Sequence, residues 1–155
     1  MRYWLGLLLL SLCFTSHGKN RLPSDCSHLQ EVTELDFVLF SKKEFIELGE
    51  CLAINAIKTN LPINIVEACN EVDEDRRNIL GIFSLSKSEA IRIGQCMGAI
   101  NYVYQRYNNE PVNSYSYSNK TYQCAKGVSA VDIIRAGLFD DVNRTNLRNA
   151  LCHER

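Results

Sequence analysis

Residues 40–51 read FSKKEFIELGEC, and residues 85–96 read LSKSEAIRIGQC. Aligned at an offset of 45 residues, the two stretches share Ser, Lys, Glu, Ile, Gly and Cys in register, and most other columns are chemically similar. A match of this kind over twelve consecutive positions is typical of internal duplication. We therefore expect the chain to contain a repeated structural unit.

Each copy carries a Ser-x-x-Glu motif directly before a run of apolar residues with helical spacing. The motif is formed by Ser41 and Glu44 in the first copy and by Ser86 and Glu89 in the second. In such a capping box the serine side chain accepts from the glutamate backbone amide, and the glutamate side chain accepts from the serine amide. The motif predicts that a helix begins at this point in both copies.

Another amphipathic run precedes each capped helix and starts near a cysteine. Its apolar positions are Leu29, Val32, Leu35 and Leu39 in the first copy and Val72, Ile79, Leu80 and Phe83 in the second. The unit is therefore predicted to be a helical hairpin that begins and ends at cysteine, over residues 26–51 and 69–96. Residues 124–152 resemble a diverged third copy, which lacks Ser-x-x-Glu and in which Asp140 or Asp141 is expected to cap the second helix.

The N-terminal segment has the pattern of a secretory signal peptide. Residues 1–18 combine a charged start, an apolar run over residues 5–13 and a small-residue exit at Gly18. The apolar run is well short of the roughly 20 residues that a membrane-spanning helix needs. We expect cleavage after Gly18, which leaves one secreted domain over residues 19–155.

Cleavage removes Cys13 and leaves an even number of cysteines, which in an oxidising compartment predicts three disulfides. In an antiparallel hairpin the start of the first helix lies beside the end of the second, where the cysteines of each unit fall. The predicted pairs are Cys26–Cys51, Cys69–Cys96 and Cys124–Cys152. The expected fold is all-α, with three disulfide-closed hairpins and about six helices packed as one compact domain.

Two segments separate the units. Residues 59–62 end in Pro62, which suits the first turn of the next helix. Residues 108–119 are polar and rich in turn formers, and they are expected to form an exposed loop.

Charge and motifs disfavour several classes of function. The chain has 17 Lys and Arg against 18 Asp and Glu without a basic cluster, so nucleic acid and anionic membrane are not expected partners. The short motifs of hydrolases, metalloproteases and nucleotide-binding enzymes are absent from the sequence, which favours a non-enzymatic protein without a cofactor.

His28 and His153 are interpreted as exposed residues near the chain ends rather than metal ligands. The acidic cluster is interpreted as a solvated helix face paired at i,i+4 with Arg76 and Arg77. Its members are Glu71, Asp73, Glu74 and Asp75.

Tyrosines are concentrated in a single part of the chain. They are Tyr102, Tyr104, Tyr107, Tyr115, Tyr117 and Tyr122. Tyr115 and Tyr117 lie in a Tyr-Ser-Asn segment whose composition resembles recognition loops, so they are the predicted partner-binding residues. Sequons for N-glycosylation start at Asn119 and Asn143. A glycan at Asn119 would compete with partner contact at the two tyrosines.

Gly49 and Gly94 occupy equivalent helix positions, where a repeated glycine is interpreted as close helix packing at two equivalent crossings rather than as room for a ligand. The leading functional hypothesis is a secreted effector, toxin-like or signalling protein that binds an extracellular protein or receptor. The alternative is an extracellular carrier that holds a small apolar ligand between the helices. The cavity of such a carrier would be lined by Ile46, Ile54, Ile93, Met97 and Ile100.

Overall fold

The computed structural model describes residues 26, 29, 38–77, 85–112, 120–137 and 143–155. Several predictions lie outside these residues: the signal peptide at residues 1–18, most of the first helix of the first unit, the apolar positions Ile79, Leu80 and Phe83 of the second unit, and the segment with Tyr115, Tyr117 and Asn119. His28, Asp140 and Asp141 lie outside them as well.

The described residues are mostly helical, as predicted, with a small sheet near the C-terminus. The helices are α1 (Lys42–Thr59), α2 (Ile65–Arg77), α3 (Lys87–Tyr107), α4 (Gly127–Ala136) and α5 (Arg144–Leu151). Two short strands, β1 (Tyr122–Cys124) and β2 (Cys152–Glu154), pair antiparallel. The helical prediction is therefore confirmed in its main part, and the small sheet is an addition that the sequence did not predict. None of the described helices is both long enough and apolar enough to cross a membrane.

Both predicted capping boxes are formed. Glu44 Oε2 accepts from the Ser41 amide at 2.6 Å, and the Glu44 amide donates to Ser41 Oγ at 3.3 Å. Ser86 and Glu89 repeat this geometry with distances of 2.6 and 3.2 Å. Hydrogen bonds from the Ser41 side chain and backbone lower the pKa of Glu44, and those from the Ser86 backbone and side chain lower the pKa of Glu89. The two long helices therefore start where the sequence predicts.

Helices α1 and α3 pack closely against each other through glycine. A Cβ built on Gly49 would overlap the carbonyl oxygen of Ile91, and a Cβ built on Gly94 would overlap that of Ile46. The sequence suggested two equivalent crossings, but the structure has a single crossing to which both glycines contribute. Gly98 extends this contact, because a Cβ there would meet the backbone of Glu50.

Helix α2 begins later in the chain than the position of the proline predicts. Pro62 precedes the helix instead of lying in its first turn, and Asn64 takes the capping position. The Asn64 side-chain oxygen accepts from the Glu67 amide at 3.2 Å, while its amide group donates to the Glu67 carboxylate at 2.8 Å. Asparagine satisfies a free amide of the first turn in this way, which proline does not. Cys69 consequently lies inside α2 rather than before it.

The main core collects one apolar stripe from each of the five helices. Its most deeply buried large side chains are Ile57, Ile65, Ile100, Val103, Ile134, Leu147 and Leu151. A smaller cluster of Phe45, Leu48 and Ala90 lies at the start of the α1–α3 pair. Phe40 packs edge-on against Phe45 there, with ring centroids 5.5 Å apart.

The three disulfides join the cysteine pairs that the hairpin geometry predicts. Cα–Cα separations are 5.9 Å for Cys26–Cys51, 5.0 Å for Cys69–Cys96 and 4.0 Å for Cys124–Cys152. The third separation is the shortest because its cysteines face each other across the β1–β2 pair. That position is a non-hydrogen-bonded pair, in which opposite Cα atoms approach most closely.

The C-terminal unit departs furthest from the predicted hairpin. Its two cysteines lie on strands, whereas the predicted unit is a helical hairpin that begins and ends at cysteine. Helix α5 is capped by Asn143, whose side-chain oxygen accepts from the amides of Thr145 and Asn146 at 2.9 Å. Asp140 and Asp141 therefore do not cap this helix, because Asn143 is the residue next to its first turn.

Candidate recognition cleft

The cleft is built where α3 ends and the chain turns back toward β1. Asn108 caps the helix, and Asn109 adopts a left-handed conformation with φ of 66°, which asparagine tolerates better than most residues. The Asn109 amide donates to the Tyr122 carbonyl at 2.8 Å, and the Tyr122 amide donates to the Glu110 carbonyl at 2.9 Å. The Cys124 amide donates to Asn108 Oδ1 at 3.0 Å. This turn therefore ties the end of α3 to β1.

An open cleft of about 450 Å³ lies against this turn. Its lining is contributed by the end of α3, the turn, strand β1, the residue before α4 and the end of the chain. The lining residues are Tyr104, Asn108, Asn109, Thr121, Tyr122, Gln123, Cys124, Lys126 and Arg155. Most of these residues are polar, and none is acidic.

Positive charge dominates the electrostatics of the cleft. Lys126 Nζ lies 5.2 Å from the centre of the Tyr104 ring, within the range of a cation–π contact. Among the residues that the structure describes, neither Lys126 nor Arg155 has a carboxylate partner. At the rim, Lys120 is paired with Glu154 at 3.2 Å. Within the described part of the chain, the cleft therefore presents two basic residues without a carboxylate partner.

Tyrosines form the wall between the cleft and the core. Tyr104 and Tyr122 line the cleft, and both are half-buried and packed against the main core, as is Tyr107 in the last turn of α3. Arg148 of α5 lies 5.7 Å from the Tyr107 ring centre and 5.5 Å from that of Tyr122. Contacts on both sides restrict the rotamers of these rings, so the wall of the cleft is preorganised.

The predicted partner-binding loop starts and ends beside the cleft. Pro111 and Thr121 form an antiparallel bridge, and the Val112 amide donates to the Lys120 carbonyl at 3.1 Å. The seven residues between these anchors include Tyr115, Tyr117 and Asn119, which lie outside the described residues. Within the described residues, these anchors connect the two ends of the predicted loop to the cleft.

The acidic cluster on α2 is only partly the solvated face that its sequence suggests, because Glu74 is exposed while Asp73 is buried. Asp73 is 5% exposed and pairs with Arg76 at 2.9 Å and with Arg135 of α4 at 2.9 Å. Arg92 of α3 pairs with Glu67 at 2.9 Å and with Glu71 at 2.7 Å. The hydrogen bond that Arg92 donates to Glu71 is the main cause that raises the pKa of Arg92. The pairs of Asp73 with Arg135 and of Glu71 with Arg92 connect helices, so these two members of the cluster have a structural role.

Other candidate residues lie apart from the cleft. Asn143 is half-buried at the start of α5, and its capping oxygen leaves the side-chain nitrogen available for a glycan. His153 is exposed on β2 opposite Gln123. No group of three or more potential metal ligands occurs within the described ranges. The five residues proposed to line a carrier cavity are absent from the lining of the cleft.

Sequence reasoning missed the cleft because its parts are distant in the chain. Asn108 and Asn109 were assigned to a loop, and Lys126 and Arg155 carried no motif. The only usable signal was the pair of asparagines directly after a long helix, which is typical of a capped turn. Comparison of the chain with protein-family models, curated proteins and solved structures finds no match.

Proposed function

We propose that this chain is a secreted, non-enzymatic protein that binds an extracellular protein or receptor through the cleft and the adjoining segment at residues 113–119. The observation that carries the proposal is the cleft itself, in which two half-buried tyrosines and two basic residues share the lining with a hydrogen-bonded turn. Tyrosine and arginine are the side chains that contribute most to protein interfaces, because they offer large contact area and several donors.

The extracellular address is supported by independent features. Three disulfides persist only in an oxidising compartment. The signal-like pattern of residues 1–18 and the sequons at Asn119 and Asn143 agree with passage through the secretory route. The first experiment expresses the full chain in secreting eukaryotic cells and determines the N-terminus of the protein in the medium. A start at Lys19 is expected, and retention of the whole chain inside the cells would contradict the proposal.

We infer that the fold arose from one duplicated, disulfide-closed hairpin unit. Support comes from the two capping boxes and from the shared offset of 45 residues between Gly49 and Gly94, which face each other's helix. The third unit, residues 124–152, shares the cysteine spacing but uses strands at its ends. Extra residues around this third unit build the cleft, so divergence of the repeat and acquisition of a binding surface coincide in the chain.

Binding is tested with fluorescently labelled mature protein on intact cells of the source organism. We expect saturable binding that unlabelled protein competes away. Gln123→Trp should abolish it, because Gln123 is an exposed lining residue and indole would fill part of the cleft. Lys43→Trp is the matched control, since Lys43 is exposed on α1 and does not line the cleft. Non-saturable binding, or equal binding by both variants, would refute the proposal.

A further inference from the structure

We propose that the cleft recognises acidic side chains of a peptide segment, with carboxylates bound by Lys126 and Arg155. This inference rests on the proposed function and names the chemistry of the partner. It follows from which groups at the cleft remain available to a ligand and which are already used within the chain.

The backbone of the cleft is occupied by internal hydrogen bonds. The Thr121 amide donates to the Arg155 carbonyl and the Arg155 amide donates to the Thr121 carbonyl, at 3.2 and 2.9 Å. The Tyr122 and Cys124 amides donate to Glu110 and to the Asn108 side chain. Recognition by strand addition requires free backbone groups at a sheet edge, which these amides no longer supply. A ligand in the cleft is therefore recognised by side chains of the protein rather than by its backbone.

The available side chains select for negative charge. Lys126 precedes α4, and within the described residues its ammonium group pairs with no carboxylate, so this group can bind an anionic ligand. The Tyr104 ring lies beneath it at 5.2 Å, which orients the ammonium group without neutralising it. Arg155 adds a guanidinium group, whose planar donors suit a carboxylate. The lining contains these two basic residues and no acidic residue, so the cleft favours an anionic ligand over a cationic one.

A peptide fits this arrangement better than a sulfated polysaccharide. Polyanions are bound by long stripes of Lys and Arg, whereas the cleft offers two cations on a chain with 17 basic and 18 acidic residues. The neighbouring amide and hydroxyl side chains of Gln123, Asn109 and Thr121 match the mixed polar groups of a peptide. The half-buried tyrosines of the lining offer apolar contact to the peptide side chains that lie next to the bound carboxylate.

The test titrates amidated hexaglutamate into isotopically labelled full-length mature protein and follows backbone amide signals by NMR. Shifts are expected at residues 121–127 and at Arg155, while amidated hexaglutamine, the uncharged analogue, should leave them unchanged. Lys126→Gln and Arg155→Gln should each weaken binding about fivefold, the upper end for an exposed ion pair. Lys58→Gln is the control, because Lys58 contacts Tyr102 outside the cleft lining.

Three results would overturn the inference: equal shifts with hexaglutamine, shifts spread over the whole surface, or binding that both cleft substitutions leave intact. Tighter binding of a heparin tetrasaccharide that depends on the same two cations would also overturn it. If hexaglutamate fails while cell binding still depends on Gln123, the proposed function stands without this partner chemistry. If hexaglutamate binds at the cleft while no saturable cell binding exists, the carboxylate site stands and the proposed function falls.

Discussion

Gly49 and Gly94 meet at one helix crossing in a reciprocal arrangement, in which each faces the carbonyl of the isoleucine three residues before the other. The helices approach so closely that neither position has room for a Cβ atom. Because the two glycines are related by the same offset as the repeated sequence, the α1–α3 pair has an approximate local twofold symmetry.

Alanine at either glycine should destabilise the protein, although alanine normally stabilises a helix interior by about 1 kcal/mol relative to glycine. Overlap with backbone atoms should reverse the sign and cost about 2 kcal/mol or more. Chemical denaturation measures the loss. The double variant Gly49→Ala/Gly94→Ala should cost less than the sum of the single variants, because either methyl group already separates the helices. A stabilising effect of Gly94→Ala would contradict the described crossing.

Asp73 and Arg135 should make one coupled contribution to stability. Asp73 is buried and binds Arg135 across the α2–α4 contact, so Asp73→Asn and Arg135→Gln should each cost roughly 1–3 kcal/mol. A double-mutant cycle should show coupling above about 0.5 kcal/mol. Lys43→Gln, which removes only the exposed pair with Glu47, provides the control and should change stability by less than about 0.5 kcal/mol. Strict additivity for the buried pair would refute the role of this contact.

Glu50 should make the protein less stable as pH rises. Partial burial, and to a smaller degree the charge of Glu47, raise the pKa of Glu50 above its ordinary value of 4.5. The folded state therefore binds this proton more tightly than the unfolded state, so the resulting stability is present below pH 4.5 and is lost as pH rises through the folded pKa.

Glu50→Gln removes this dependence. The variant should gain stability relative to the parent protein between pH 4 and pH 7, by less than about 1 kcal/mol because the side chain is only partly buried. Urea denaturation at both pH values measures the difference. Glu47→Gln should reduce the pH dependence less than Glu50→Gln does, because the charge of Glu47 is the smaller cause of the raised pKa of Glu50. A stability difference that shrinks with rising pH would show that the sign is wrong.

Asn143 should serve both as a helix cap and as a glycan acceptor, and three substitutions separate these roles. Asn143→Asp keeps the cap and removes the sequon, Thr145→Ala removes the sequon alone, and Asn143→Ala removes both. All three should lose the mass of the glycan at this site when the protein is secreted. Only Asn143→Ala should also lose about 1 kcal/mol of stability relative to Thr145→Ala. Unchanged mass in all variants would mean that the sequon is unoccupied.

Loss of the Cys124–Cys152 disulfide should loosen the C-terminal sheet before the long helices. The paired substitution to alanine is expected to cost about 2–4 kcal/mol. Amide hydrogen exchange should accelerate at Thr121 and Arg155, which hold each other across the strands, while the middle of α3 stays protected. Non-reducing digestion with mass spectrometry first establishes the three pairs. Cross-unit pairs would contradict the structure.

The sequence by itself determined the local features of this protein. Ser41 and Ser86 mark helix starts because a capping box is completed within four residues, and the cysteine pairing follows from hairpins of similar length. Glycine at equivalent positions indicated close helix packing, because glycine has no Cβ atom and allows two backbones to approach most closely. Each of these predictions depends on neighbours in the chain or on a repeated spacing.

Tertiary structure alone decided which helix the glycines meet, what Asp73 binds and where the cleft lies. The sequence around Asp73 is typical of a solvated helix face, but in the folded protein Arg135 of α4 pairs with it. The strands β1 and β2 are too short to show an alternating pattern, and they exist because the ends of the last unit pair with each other. Lys126 and Arg155 reach one cleft through that pairing, since contacts between distant segments depend on the packing of the whole chain.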